Sequence, residues 1–511
     1  MRRIETPRRR RLLAPHAECR SWGQTARRTA RKPGPDAGLY TYARVTPQDR
    51  SRIHLRLSDR GEGLLLVNAS RAFQLNPSAA TMAWFVLEGR SDKEAIAFLR
   101  RTYRIPLSSA SQDFTTFRQK LEGLLGPEGA CPIHDLDLEV TPPFGHVPEA
   151  PYRMDLALTY RCNCDCSHCY NARPRRYPEL GTERWKQILD RLRRIGVPHI
   201  CFTGGEATLR RDLPELVAHA NSLGQISGLL SNGRRLSDPS YVDQLAQAGL
   251  EHIQITLESC DPQTHDTMVG ARGAWRQTVQ GIRNSLGRKL FVMTNTTLLA
   301  ENAEHVGDTI DFLAELGVPT VGCNALIYAG SGKTVGTGIP ERELVSILDV
   351  VRRKTEQNGQ KLIWYTPTQY CHFDPVQMGL GVKGCTAAMY NMCVEPDGTV
   401  IPCQSYYRGL GNILNDPWEA IWNHDLAIWL RERRYVPASC QQCALLRECG
   451  GGCPLSLHFQ EPAAEPSIPI NGIRRAAPGG AAAENSFRVA IPPEQPRARP
   501  EIDAEKVETS A

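Results

Sequence analysis

Three features of this sequence predict an α/β fold: a parallel sheet or partial (β/α)6 barrel between two smaller domains. Between residues 153 and 380, short apolar runs alternate six times with amphipathic helical stretches. Ahead of that region, a block of short strand patterns is followed by helical ones, as in a small winged-helix-like α+β domain. Behind it, seven cysteines are spaced over residues 385–453.

Composition narrows the function classes. Residues 1–35 hold ten Arg and one Lys against two Glu, more than the whole net charge of +6. The rest of the chain is therefore slightly acidic, and no nucleic-acid partner is expected. No apolar run reaches the length of a membrane span, and the basic start lacks the apolar segment of a secretory signal. Seventeen cysteines in 511 residues, clustered in short motifs, point to metal or cluster binding in a reducing cytoplasm rather than to disulfides. Residues 1–45 read as a disordered basic tail.

The small domain is expected over residues 50–128. Ile53–Leu57, Leu64–Asn68 and Arg71–Leu75 alternate as strands. Asn76-Pro77 is an N-cap followed by proline at the first helical position, so a helix runs from Ser78 to Leu87 and stops at Gly89. Ser91 caps a second helix with Ala95, Phe98 and Leu99 on its apolar face, and Phe114, Phe117, Leu121 and Leu124 mark a third. The stretch Leu75–Leu99 resembles the small PqqD-like peptide-binding domain of pyrroloquinoline-quinone biosynthesis. That resemblance implies recognition of a leader peptide added as a strand to the sheet edge. A generic DNA-binding winged helix is the alternative, and the third helix, with Ser-Gln-Asp-Phe-Thr-Thr-Phe, lacks its basic face. Residues 129–152, rich in proline and acids, read as a linker.

In the central region, strands are expected at 155–159, 199–203, 225–231, 252–257, 290–296 and 320–326, and helices near 182–195, 212–222, 240–248, 274–286, 302–316 and 341–357. Chemistry in such folds sits at the carboxyl ends of the strands. The first strand ends in Cys162, Cys166 and Cys169, spaced C-x3-C-x2-C. Three thiolates leave one iron of a cubane cluster open to a small molecule. Structural zinc, the alternative, wants four ligands. The second strand ends in Gly204-Gly205-Glu206, where the glycines permit close backbone approach to a ligand and the carboxylate can accept from an ammonium.

With His168 as the aromatic residue before the last cysteine, these motifs resemble the radical S-adenosylmethionine (SAM) enzymes, and the fold this implies is a partial (β/α)6 radical SAM barrel. The resemblance implies a 4Fe–4S cluster held by the three cysteines, with SAM chelating the open iron and cleaved to a 5′-deoxyadenosyl radical. It also implies SAM contacts from His168, Gly204, Gly205, Glu206, Ser231, Asn232 and Thr256, with Asn295, Asn324 and the Ile327–Lys333 stretch nearby. Ala207 departs from the commoner proline.

Beyond the barrel, Cys385-x12-Gly398-x4-Cys403 and Cys440-x2-Cys443-x5-Cys449-x3-Cys453 resemble the SPASM domain, expected over residues 383–455. That resemblance implies one auxiliary 4Fe–4S cluster on Cys385, Cys403 and Cys453, with Cys393 as a fourth ligand, and a second on Cys440, Cys443 and Cys449. Residues 454–511 carry no further cysteine, so the second cluster has an open iron, takes a non-cysteine ligand or is absent, with Cys371 as one substitute. Zinc is again the alternative. Cys164, Cys201, Cys260 and Cys323 fit no ligand motif and read as small apolar residues. Residues 456–511 read as a disordered tail.

Together these resemblances imply a cytoplasmic maturase that abstracts hydrogen from a ribosomally made peptide bearing a leader. The outcome would be an oxidative change such as a C–C or thioether crosslink. A low-potential donor such as flavodoxin or ferredoxin would supply electrons. The competing readings are a radical enzyme on a small molecule or tetrapyrrole, and a non-enzymatic iron–sulfur or zinc protein that binds peptides.

Overall fold

The computed structural model describes residues 2–3, 35–45, 50–68, 71–125, 147–288 and 290–460. Most of the expected linker and of both tail calls lies outside the described residues.

The small domain is a five-stranded antiparallel sheet in sequential order, β1 (Arg2–Arg3), β2 (Gly38–Val45), β3 (Arg50–Leu57), β4 (Gly63–Val67) and β5 (Arg71–Leu75). Helices Pro77–Leu87, Asp92–Tyr103 and Leu107–Leu124 cover one face. Both expected caps form: Asn76 Oδ1 accepts from the Ala79 amide at 2.9 Å, and Ser91 and Glu94 close a reciprocal capping box. The expectation of a disordered segment to residue 45 is corrected by β2. Its β-favouring run Leu39–Val45 pairs Tyr42 with Ile53, and the Tyr42 ring is fully buried.

β3 is buried on both faces. Ile53, Leu55 and Leu57 enter the small core, while Arg52, His54 and Arg56 dock the domain on the next one. Arg52 donates to Gln225 O at 2.7 Å and Asn221 Oδ1 at 2.9 Å, His54 Nε2 to Gly224 O at 2.8 Å, and Arg56 to Ala150 O at 3.1 Å.

The central sheet runs β12-β11-β10-β9-β8-β7-β6-β13-β14-β15. Here β6 is Arg153–Ala157, β7 His199–Thr203, β8 Ile226–Ser231, β9 His252–Thr256, β10 Phe291–Leu298, β11 Thr320–Ala325 and β12 Lys361–Trp364. All seven are parallel, with helices between them, among them Thr182–Ile195, Ala274–Leu286 and Glu341–Gln357. The expected helix at 302–316 is broken into Ala300–Ala303 and Val306–Glu315.

Two features depart from the expected division. β12 adds a seventh strand after the sixth β–α unit. The cysteine-rich region also continues the central sheet: β13 (Asn391–Val394) pairs parallel with β6, and β14 (Thr399–Ile401) and β15 (Gly411–Asn412) extend it antiparallel. The expected disordered tail from residue 456 is corrected at its start, because helix Pro454–Gln460 includes residues 456–460.

Candidate functional site

The cysteine loop leaves β6 at the carboxyl edge of the sheet and is held from every side. Gly205 N donates to Thr159 O at 2.7 Å and Glu206 N to Arg161 O at 2.9 Å. A Cβ on Gly204, which has φ +142°, would stand 2.1 Å from Thr159 O, and one on Gly205 would stand 2.5 Å from Arg161 O. The glycine pair therefore permits close approach to the protein's own backbone at the start of the cysteine loop. On the far side, Asp165 N and Ser167 N donate to Val269 O and Met268 O, and Gly332 N donates to Cys169 O. The Gly330–Lys333 turn thus props the loop exit. Arg175 spans the loop by donating to Cys162 O, Cys164 O and the Asp165 carboxylate.

Within this frame Cys162, Cys166 and Cys169 are all partly exposed. The Cys164 thiol and amide donate to Cys162 sulfur and lower its pKa. Burial, and then the neighbouring thiols, push Cys166 well up, and burial also raises Cys169. Positive charge bound between them would relieve this mutual repulsion and release their protons. Among the described residues no three His, Cys, Asp or Glu side chains converge closely enough to chelate a single metal ion. In an iron–sulfur cluster each of the three cysteines would hold its own iron.

Glu206 is fully buried and accepts from Thr208 N (3.0 Å), Thr208 Oγ1 (2.6 Å), Ser231 Oγ (3.0 Å) and Asn232 N (2.8 Å). Burial raises its pKa against those four donors. Ser231 thus orients Glu206, and its oxygen accepts from Gly233 N at 3.0 Å. The Asn232 side chain turns to the cysteine loop, donating to Asn163 Oδ1 at 2.7 Å and Cys164 Sγ at 3.4 Å. Thr256 ends β9 half-buried, in register with Asn295 on β10, and Asn295 donates to Asn324 at 2.6 Å. His168 Nε2 lies 2.9 Å from Glu258, whose other oxygen accepts from Thr297 N at 2.8 Å. Burial opposes charge on His168, but the Glu258 carboxylate outweighs it and raises the pKa. Sequence reasoning singled out neither the Glu258 partnership with His168 nor Arg175, because each contact depends on folding rather than local pattern.

Residues 156–313 match the Radical SAM superfamily, and residues 385–444 match the SPASM iron–sulfur cluster-binding domain. A PqqA peptide cyclase from Xanthomonas campestris pv. campestris strain 8004 is 31% identical over 366 residues, covering 68% of this chain and 96% of that protein. The chain belongs to the radical SAM superfamily. A second PqqA peptide cyclase, from Xanthomonas axonopodis pv. citri, is 32% identical over 59% of this chain and 82% of its own length. In fold, the chain is similar to Streptococcus suis SuiB bound to its precursor peptide SuiA. The TM-score is 0.61 at 16% identity, covering 79% of this chain and 94% of that one.

As a radical SAM protein with a SPASM domain, the chain takes a 4Fe–4S cluster, SAM and auxiliary iron–sulfur clusters. Its C-terminal cysteines fall into two groups. Cys385 lies near Cys453 and Cys403, whose charges add to burial in raising its pKa. Cys393 is fully buried on β13 among Ala157, Tyr160 and Ile401, and it adjoins Cys403. Cys440 and Cys449 form the second group with Cys443, which is exposed beyond a turn closed by Cys443 N to Cys440 O at 3.0 Å. Cys201 and Cys323 are buried core residues, as expected, and Cys260 donates its amide to Thr309 without meeting a ligand set.

Two links join the radical SAM loop to the SPASM region. Arg173 donates bidentately to the buried Glu395 at 2.7 and 2.8 Å, and Tyr160 OH adds a third bond at 3.0 Å. Tyr170, next to Cys169, donates to Gln404, next to Cys403, at 3.3 Å. Neither link was visible in the sequence, since each spans more than 200 residues.

Proposed function

We propose that this radical SAM protein is a peptide maturase that removes hydrogen from a ribosomally made, leader-bearing peptide and modifies it oxidatively, for example by a C–C or thioether crosslink. The observation that carries the reading is the 31% identity that extends over 96% of a PqqA peptide cyclase.

Cys162, Cys166 and Cys169 are the residues for the 4Fe–4S cluster, and Glu206, Asn232, Thr256 and His168 frame the adjoining space for SAM. When bound, this pair supplies radical hydrogen abstraction from substrate. The chain's own part is positional. Arg175 and the Gly204–Gly205 backbone fix the loop, Ser231 and Thr208 aim Glu206, and Glu258 holds the His168 ring. The SPASM cysteines would hold the auxiliary clusters, which would supply an acceptor for the electron left on substrate. β5 ends the small sheet without a partner strand among the described residues, which supports strand addition of a leader there. No described helix is long and apolar enough to cross a membrane. A cytoplasmic setting with a flavodoxin- or ferredoxin-like donor completes the reading.

The test is anaerobic reconstitution with iron and sulfide, reduction, and addition of SAM. Wild type is expected to hold well over four irons and to form 5′-deoxyadenosine. Cys166→Ala is expected to lose the deoxyadenosine and about one cluster's iron. A wild type that leaves SAM intact would overturn the reading.

A further inference from the structure

We propose that Cys371, from outside the SPASM motif, is the fourth thiolate of the second auxiliary cluster, completing the set Cys440, Cys443 and Cys449. The inference rests on the reading that the SPASM region binds iron–sulfur clusters.

Residues 454–511 offer no cysteine for that position. The fold brings one from upstream instead. Tyr370 N donates to Cys449 Sγ at 3.3 Å, and the same sulfur contacts Thr368 O at 3.6 Å. Cys371 is the next residue, one ~3.8 Å Cα step along the chain. Gly452 packs against the same segment, 3.3 Å from Gln369 N if given a Cβ. Cys449 is therefore built directly onto the Thr368–Cys371 segment. Successive turns, closed by Cys443 N to Cys440 O at 3.0 Å, Leu446 N to Cys443 O at 3.1 Å and Cys449 N to Leu445 O at 2.9 Å, carry Cys440 and Cys443 on the same short stretch of chain as Cys449.

The turn that presents Cys371 is itself fixed. His372 N and Phe373 N both donate to Gln369 O, at 2.8 and 2.9 Å, and Thr368 Oγ1 closes the loop on Phe373 O at 3.1 Å. The Glu341 carboxylate accepts from Gln369 N at 3.1 Å and stands 3.2 Å from His372 Nδ1. Cys371 is nonetheless exposed, as is Cys443. An exposed thiol on an anchored turn, one residue from the Cys449 contact of an incomplete set, has a structural reason to be there if it closes a cluster. In doing so the thiol gives its proton to solvent, and its sulfur takes the iron position that water or hydroxide would otherwise fill. No electron is transferred in that exchange. A cluster closed by four thiolates carries electrons and does not bind substrate.

The experiment uses the full chain in a Cys162→Ala/Cys166→Ala/Cys169→Ala background, so that all remaining iron belongs to the auxiliary sites. Iron, acid-labile sulfide and EPR spectra are compared with and without Cys371→Ser or Cys371→Ala, alongside far-UV circular dichroism. The expected result is a loss of one to four irons per chain and a changed EPR signal, with secondary structure unaltered. Added cyanide, which binds an open iron, should perturb the second-cluster signal only when Cys371 is replaced. Unchanged iron, sulfide and EPR in both variants would overturn the assignment, as would a background protein without iron–sulfur clusters. Deoxyadenosine formation by the wild type reports separately on the radical-enzyme reading.

Discussion

His168 Nε2 and Glu258 Oε1 lie 2.9 Å apart, joining the cysteine loop to the carboxyl end of β9 across 90 residues of sequence. Because the pair raises the His168 pKa, its ionic contribution is present below the unfolded value near 6.5 and fades as pH rises through the raised folded value. Glu258→Gln keeps a hydrogen-bonding group but removes the charge. The stability difference between wild type and Glu258→Gln, from urea melts, should be largest in mildly acid solution and shrink as pH rises. Loosening this support should also lower deoxyadenosine formation by about 10–100-fold, the usual cost of losing a residue that orients a metal site.

Gly205 offers a sharper test of the loop. Its φ is not in the left-handed region, so alanine there brings steric cost alone, with the Cβ 2.5 Å from Arg161 O and 2.6 Å from Tyr160 O. Backbone atoms cannot swing aside as a side chain would. Gly205→Ala should destabilise the protein by about 1–3 kcal/mol and displace the cysteine loop. The measurement is a urea melt together with the iron bound in the barrel. A variant as stable as wild type would show that the loop approach is looser than described.

Much of this architecture was legible because it is local. The helices at 182–195, 274–286 and 341–357 and the strand at 199–203 fall at their expected limits, where apolar spacing and glycine stops agree. β2 was hidden because the arginine-rich composition around it outweighed a short alternating run. The pairing of β13 with β6 was hidden for a different reason: four residues joining a strand more than 230 positions away leave no trace in periodicity. At the site, spacing identified the three loop cysteines and Glu206. It could not show that Ser231 serves Glu206, or that the glycines face Thr159 and Arg161, since those relations exist only after the strands align.

The docking of the small domain carries its own pH dependence. Burial pushes His54 down to about 3, with Arg52 and Arg193 also opposing its charge while the Gly224 carbonyl favours it. Burial and Arg153 likewise push His252 down to about 4, and its partner His199 is well below its usual value. All three are neutral when folded, so their contribution to stability is flat above about pH 6.5 and falls as pH drops from there toward about 4. Each group contributes about 1.4 kcal/mol per pH unit in that window. His54→Gln can still donate to Gly224 O but does not titrate. Its melts should show a shallower acid slope, by about one proton's worth, than wild type.

Arg173 and Glu395 pin the cysteine loop to the SPASM hairpin. Glu395 has no exposed side-chain surface, while Arg173 is 29% exposed. Arg173→Ala would leave a buried carboxylate with only the Tyr160 hydroxyl, at a cost of about 3–5 kcal/mol. Glu395→Gln in the same chain removes the stranded charge, so the double variant should recover part of that loss. A double-mutant cycle by urea denaturation measures the coupling directly. Additive single effects would mean that the two residues do not hold the loop and the hairpin together. A strong coupling with loss of deoxyadenosine formation would mean that the SPASM region positions the radical site as well as carrying clusters.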